Sequence, residues 1–95
     1  MQQNKSSKTN TLDIYRRRMG FSTRHVARLL GDRDTSRISK YERGQRMPDL
    51  RNALRLGIVL RVPVEFLFAS LYDSLREQIR AEEERIAQPV QATLF

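Results

Sequence analysis

The sequence predicts an all-α fold, and two observations support this prediction. Apolar residues recur at spacings of three and four, and no stretch alternates apolar and polar residues long enough for a strand. The four glycines and three prolines stand apart, where most of them can begin or end helices. The chain has no cysteine, which excludes disulfides and thiolate metal sites as a source of stability. Its 95 residues are expected to form one small domain.

The first predicted helix extends from about Leu12 to Met19. Asn10 or Thr11 is expected to cap its start, and Gly20 to stop it. Residues 1–10 lack the apolar core of a signal peptide and are expected to be a flexible, basic arm. The face of this helix that is predicted to meet the core comprises Leu12, Tyr15 and Met19.

Two short helices around a tight turn follow. Ser22 is a good N-cap for the second helix, which the turn of residues 31–34 ends. Asp34 is the expected cap of the third helix, which extends from about Thr35 to Arg43. The residues predicted to face the core are Val26, Leu29 and Leu30 on the second helix, with Ile38 and Tyr41 on the third.

Two further helices complete the prediction. Asp49 is expected to cap a fourth helix that ends near Leu60, and Pro63 suits the first turn of a fifth that continues to about Gln88. The chain then divides into an arm of residues 1–10, a domain of 11–69, an extension of 70–88 and a tail of 89–95. The residues of the fourth helix expected to close the core are Leu50, Ala53, Leu54, Leu56, Ile58 and Leu60.

The charge of the chain is distributed asymmetrically. Residues 1–62 hold 15 Lys and Arg against 5 Asp and Glu, whereas residues 63–95 hold 3 against 6. A strongly basic half joined to an acidic half indicates that one surface faces a polyanion, and nucleic acid is the commonest such partner.

The third predicted helix has a core face and an opposite polar, cationic face. Such a helix suits a DNA major groove, because short polar side chains permit close approach and lysine reaches guanine acceptors. Arg37 lies on the flank, where it can read a base or clamp a phosphate. The base-reading candidates are Thr35, Ser36, Arg37 and Lys40. The phosphate-contact candidates are Ser22, Thr23, Arg24, Ser39, Arg43 and Arg46. The arginines expected to be merely solvated are Arg51, Arg55 and Arg61.

Residues 12–68 resemble the Cro/C1-type (XRE-like) helix-turn-helix family of phage, plasmid and bacterial regulators. The positions that match the family pattern are Leu12, Tyr15, Arg16, Gly20, Phe21, Ser22, Val26, Ala27, Leu30, Gly31, Ile38, Ser39, Glu42, Gly44 and Pro48. The turn of residues 31–34 departs from the pattern, since it is one residue longer and lacks the small apolar residue normally tucked beneath it.

The resemblance implies a five-helix, lambda repressor-like DNA-binding domain, here with an extended C-terminal helix. It implies a homodimer that binds double-stranded DNA at a palindromic operator and regulates transcription, most often as a repressor. It also implies a structural ion pair between Arg16 and Glu42, which ties the first helix to the recognition helix. Arg16 is therefore not expected to contact DNA.

The fifth predicted helix is longer than the small core can cover. About 24 residues at 1.5 Å each span roughly 36 Å, and apolar residues recur along it, interrupted by Glu82. Such a stripe suits a partner helix. Packing back on its own core, a different partner protein and fraying stay open as alternatives. The dimerisation candidates are Phe68, Tyr72, Leu75, Ile79 and Ile86.

The tail carries Gln91, Leu94 and Phe95, which are similar to the short Q-x-x-L-F peptide that docks on the bacterial replication sliding clamp. In that reading, glutamine holds the register while Leu94 and Phe95 fill an apolar pocket on the protein partner. Packing onto a dimer partner and simple disorder are the alternatives for this segment.

Nothing in the sequence indicates an enzyme, a metal or a cofactor. His25, the single histidine, has no cysteine or convergent carboxylate beside it, and no glycine-rich phosphate loop is present. No apolar run approaches the roughly 18 residues that cross a bilayer, and no small-molecule effector is evident. The sequence thus predicts a cytoplasmic, nucleoid-associated regulator of bacterial, phage or plasmid origin. The alternative is a protein-interaction adaptor or antitoxin-like component that acts through the long helix and tail.

Overall fold

The computed structural model describes the backbone of residues 10–94 and the side chains of residues 10–87. This part of the chain is built from helices and contains no strand, so the all-α prediction is confirmed. None of its helices is both long enough and apolar enough to span a membrane. The helices are α1 (Leu12–Arg18), α2 (Thr23–Leu29), α3 (Ser36–Glu42), α4 (Leu50–Leu60), α5 (Val64–Leu67) and α6 (Ala69–Leu94).

Side-chain caps begin two of these helices where the sequence predicts them. The Ser22 hydroxyl accepts a hydrogen bond from the His25 amide at 3.0 Å at the start of α2. The Asp49 carboxylate accepts one from the Asn52 amide at 2.8 Å at the start of α4. Each cap satisfies an amide of the first turn that has no partner within the helix. The starts of α2 and α4 are therefore determined locally.

One hydrophobic core joins α1 to α5, and it ends where α6 begins. Tyr41 and Ile38 hold α3 in this core, where each is nearly inaccessible to solvent. The buried apolar residues are Leu12, Val26, Ala27, Leu30, Ile38, Tyr41, Ala53, Leu56, Leu60, Leu67 and Phe68.

The prediction that six apolar residues of α4 close the core is wrong for three of them. Ala53, Leu56 and Leu60 are buried on one face. The other three lie about a third of a turn around the helix from that face, and the core contacts only one side of α4. They are exposed: Leu50 by 74%, Leu54 by 51% and Ile58 by 75%. Leu29, on α2, is exposed for the same reason.

The predicted fifth helix is divided in two at Phe68. The backbone of Phe68 leaves the helical region (φ −122°, ψ 51°), and its ring is buried in the core. The Phe68 carbonyl accepts from the Tyr72 amide at 2.9 Å, which begins the next helix directly. The short α5 thus stays on the core, whereas the helical backbone of α6 continues through Pro89 to Leu94.

Gly57 lies inside α4 rather than at a helix end. A Cβ at this position would lie 2.9 Å from the Val62 carbonyl oxygen and 3.3 Å from a Val64 methyl. Glycine is therefore required by the close approach of the α4–α5 connection to α4.

The start of the described chain is tied to two distant elements. Asn10 is buried; its amide nitrogen donates to the Tyr41 carbonyl at 2.8 Å, and its oxygen accepts from the Leu12 amide at 3.1 Å. The Thr11 amide donates to the Leu67 carbonyl at 3.0 Å. Residues 1–9, the rest of the predicted arm, lie outside the described part of the chain. The side chains of the tail motif, Gln91, Leu94 and Phe95, lie outside it too.

Candidate nucleic-acid interface

An ion pair behind α3 holds this helix against α1. Arg16 donates from Nε to Glu42 Oε2 at 2.6 Å and from Nη2 to Glu42 Oε1 at 3.1 Å. Its third nitrogen donates to the Phe21 carbonyl at 3.0 Å. The hydrogen bonds with Glu42 raise the pKa of Arg16, against the opposing effect of burial. A bidentate pair of this kind fixes the orientation of α3 relative to α1.

Arg55 is not a merely solvated arginine, which corrects the sequence prediction. It donates to the Leu30 carbonyl at 2.6 Å and to the Asn52 side-chain oxygen at 3.1 Å. Asn52 in turn donates to the Tyr41 hydroxyl at 3.3 Å. A guanidinium suits the last carbonyls of a helix, because these carry partial negative charge. Arg55 thus links α4 to the end of α2, a role without a local signal in the sequence.

The turn between α2 and α3 closes with two backbone hydrogen bonds. The Gly31 amide donates to the Arg28 carbonyl at 2.9 Å, and the Asp32 amide donates to the Ala27 carbonyl at 2.8 Å. Gly31 has φ of +84°, as this helix-ending motif requires. The start of the turn therefore has the regular backbone geometry of a helix end, although the turn is one residue longer than the family pattern.

Asp34 caps α3 from one residue further out than predicted. Thr35 occupies the cap position, and the Asp34 carboxylate reaches past it to accept from the Ser36 amide at 3.0 Å. This backbone hydrogen bond is the main reason that the pKa of Asp34 is lowered. The Asp34 carboxylate at the start of α3 thus caps this helix.

The four base-reading candidates fall on two neighbouring surface depressions. Ser36, Arg37 and Lys40 line one of about 320 Å³ together with Arg46. Thr35 lines the other, of about 330 Å³. Ser36 and Lys40 are exposed, whereas Thr35 and Arg37 are half-buried.

Cationic side chains outnumber the two carboxylates, Asp32 and Asp34, that line both depressions. Arg24 and Arg28 on α2 line the depression that holds Thr35. Arg33, in the turn, lines both depressions; the sequence prediction does not include it among the candidates.

Most of the remaining phosphate candidates lie at the ends of α2 and α3, and Ser39 lies in the middle of α3. Ser22 caps α2 and is exposed, while Thr23 and Ser39 are half-buried. Arg43 is exposed beyond the end of α3 and contacts the Gln45 side chain at 3.3 Å. The exposed side chains among the phosphate-contact candidates therefore carry hydroxyl or cationic groups.

The apolar stripe of α6 is exposed except at its first predicted member. Phe68 is buried in the core of the same chain, which corrects its assignment to the dimerisation set. Leu71 is also exposed and lines a groove of about 390 Å³ with Tyr72, Phe68 and Met47. The predicted members that are about half exposed are Tyr72, Leu75, Ile79 and Ile86.

Comparison with known proteins identifies the domain. The family model described as helix-turn-helix matches residues 12–67, more than half of the chain. Neither a comparison with curated proteins nor one with solved structures finds a match. The matched span covers α1 to α5 and includes the turn, the capped α3 and the residues that hold it. The chain therefore belongs to the Cro/C1-type helix-turn-helix family of DNA-binding transcription regulators.

Proposed function

We propose that this protein is a homodimeric transcriptional repressor that reads a palindromic operator with α3 in the major groove. The observation that carries this proposal is the two-sided character of α3. Ile38 and Tyr41 hold one side in the core, while Ser36 and Lys40 are exposed on the other. A short, rigidly seated helix with small polar and cationic side chains can approach base edges closely.

Within this function, we assign the base contacts to α3 and the residue before it, and most of the phosphate contacts to the residues around α3. The proposed base readers are Thr35, Ser36, Arg37 and Lys40. The proposed phosphate contacts are Ser22, Thr23, Arg24, Ser39, Arg43 and Arg46, which would fix the register of the protein on the duplex. Arg33 joins the phosphate set because it lines both depressions beside α3.

The homodimer in this proposal forms along α6. Tyr72, Leu75, Ile79 and Ile86 leave apolar surface exposed beyond the core, and a second copy of the same helix can cover it. Two-fold symmetry would then present two α3 helices to two half-sites about 34 Å apart. Repression follows if the operator overlaps a promoter, because occupancy alone excludes the polymerase.

A second candidate function is favoured by the same exposed surface. The groove that Met47, Leu71 and Tyr72 line is apolar, so a different protein can dock there and make this chain an adaptor or antitoxin-like component. In that case α6 binds a different protein rather than a second copy of this chain.

Selection of bound sequences from random duplex DNA tests the proposed function. We expect enrichment of an inverted repeat whose half-sites are centred about 10 base pairs apart. A single, unrepeated motif would contradict the two-fold reading of the operator. An unenriched pool would contradict sequence-specific binding altogether.

A further inference from the structure

Asp32 occupies a position where an acidic side chain is unexpected. The hydrogen bonds of Gly31 and Asp32 to the end of α2 form the motif in which the residue after the glycine commonly makes an apolar contact with the helix. Here that residue is an aspartate, and its side chain is only 14% exposed. This turn therefore has a carboxylate where the motif usually has an apolar group.

The burial of this carboxylate is only partly compensated. Oδ2 of Asp32 is buried and has no hydrogen-bond partner in the part of the chain that the structure describes. Burying a carboxylate oxygen without a partner is unfavourable. Because this burial is unfavourable, the presence of Asp32 suggests a role that an apolar residue could not perform.

The cation nearest to this carboxylate belongs to the recognition helix. Arg37 Nη1 lies 3.7 Å from Asp32 Oδ1, and the Arg37 side chain is 42% exposed. Both residues line the depression that also contains Ser36 and Lys40. Asp34 does not compete for Arg37 through its Oδ1, because that atom accepts from the Ser36 amide. Asp32 thus lies beside an arginine that lines the candidate interface.

We propose that Asp32 is a positioning residue: it holds the guanidinium of Arg37 over the exposed face of α3, so that Arg37 reads a guanine. This inference rests on the proposed function. Arginine is the side chain best suited to the two guanine acceptors, and an arginine whose motion an ion pair restricts loses less conformational entropy on binding.

The carboxylate beside Arg37 also bears on which of two roles this arginine has, base reading or phosphate clamping. A phosphate contact is driven by net positive charge, which an adjacent carboxylate weakens. A base contact depends on the direction of the donors, which the same carboxylate can fix. The ion pair therefore favours base reading over phosphate clamping at Arg37.

The test compares variants of the full chain on the selected operator and on duplexes with single base-pair changes in each half-site. The variants are Asp32→Asn, Asp32→Leu, Arg37→Ala, the double variant Asp32→Leu/Arg37→Ala, and the control Asp34→Asn. Asp32→Leu supplies the apolar residue typical of the motif, so we expect its Tm to be equal to or above that of the unmodified chain. Asp32→Asn keeps the shape of the side chain and removes its charge.

We expect the unmodified chain to prefer guanine at one half-site position by at least about fivefold. Arg37→Ala should remove the preference at that position alone, and both Asp32 variants should reduce it there while preferences elsewhere persist. Asp32→Leu should have no further effect when Arg37 is already alanine. Asp34→Asn, which retains a capping oxygen, should leave the whole profile unchanged.

Three results would overturn the inference while the proposed function stands. Asp32 variants with an unchanged base profile would show that Asp32 positions nothing. Arg37→Ala that weakens every duplex equally would make Arg37 a phosphate contact. A loss of preference in Asp34→Asn that matches the Asp32 variants would indicate a general effect of charge. Failure of the unmodified chain to select any sequence is a different outcome, which removes the proposed function and this inference together.

Discussion

Glu42 lies on the side of α3 that faces α1, away from the surface proposed to contact DNA. The side chains of Glu42 and Arg16 are each only 12% exposed, and they are joined by two hydrogen bonds. Removal of one partner leaves the other charge largely buried and unpaired, which costs more than the intact pair contributes. The pair therefore matters chiefly for the angle at which α3 is presented.

We expect Glu42→Ala to lower the free energy of unfolding by about 2 kcal/mol, since Arg16 loses two charge-assisted hydrogen bonds. Denaturant titration followed by circular dichroism measures the change. Arg17→Ala is the matched control: Arg17 is exposed and reaches Asp13 only at 4.0 Å, so its removal should change stability by less than about 0.5 kcal/mol. Equal stability of Glu42→Ala and the unmodified chain would contradict the structural role of the pair.

Lys40 is the exposed cation in the middle of the proposed reading face. We expect Lys40→Ala to cost about 1–3 kcal/mol of discrimination at one base position if this lysine contacts a base edge. Affinity measurements on the operator and its single-base variants give this figure. Arg61→Gly is a suitable control, because it removes one exposed charge at a backbone position with φ of 60° that glycine adopts readily. Uniform weakening on every duplex would instead identify Lys40 as a phosphate contact.

At the scale of elements, α6 differs from the other helices in its source of stability. Most of its described side chains are exposed, and it carries ion pairs between residues three apart, including Arg76 with Asp73 at 3.3 Å and Arg80 with Glu83 at 3.0 Å. Such pairs support an isolated helix by only about 0.2–0.5 kcal/mol each. Burial of the apolar stripe in a dimer would supply the larger contribution.

We expect Ile79→Glu to convert the dimer to a monomer, because it places a charge in the centre of the exposed apolar stripe. Sedimentation or light scattering gives the mass, and operator binding should weaken together with it. Ala81→Glu introduces the same charge on the opposite face of α6 and should leave the dimer intact. If Ile79→Glu remains a dimer with full operator affinity, the stripe does not form the dimer interface.

The whole molecule combines a basic half with an acidic half. The basic half, residues 1–62, contains α1 to α4 and with them the proposed interface, whereas the acidic half contains α6. Binding that neutralises phosphates releases counterions and therefore depends on salt. The acidic half is directed, in the proposed arrangement, toward a second copy rather than toward DNA.

If each dimer neutralises six to ten phosphates, operator affinity should fall by about 10³–10⁵ between 50 and 200 mM salt. Titration of a labelled operator at several salt concentrations gives the slope. A nearly constant affinity across this range would rule out an interface built on the arginines around α3.

The sequence by itself determined the features that depend on neighbouring residues. The helical class, the caps at Ser22 and Asp49 and the end of α2 at the turn of residues 31–34 follow from contacts within a few residues, which local patterns report. The family follows in the same way, because its pattern combines many such positions in register.

Only the tertiary structure decided which helix faces are buried and which partners the charged side chains have. The predicted fifth helix is interrupted at Phe68, whose ring lies in the core. Arg55 bonds to the Leu30 carbonyl because the end of α2 lies beside α4. The exposure of Leu50 likewise depends on which segments pack against α4. Helix formation is governed by hydrogen bonds four residues apart, whereas burial depends on every element that packs against a residue, and no local pattern contains that information.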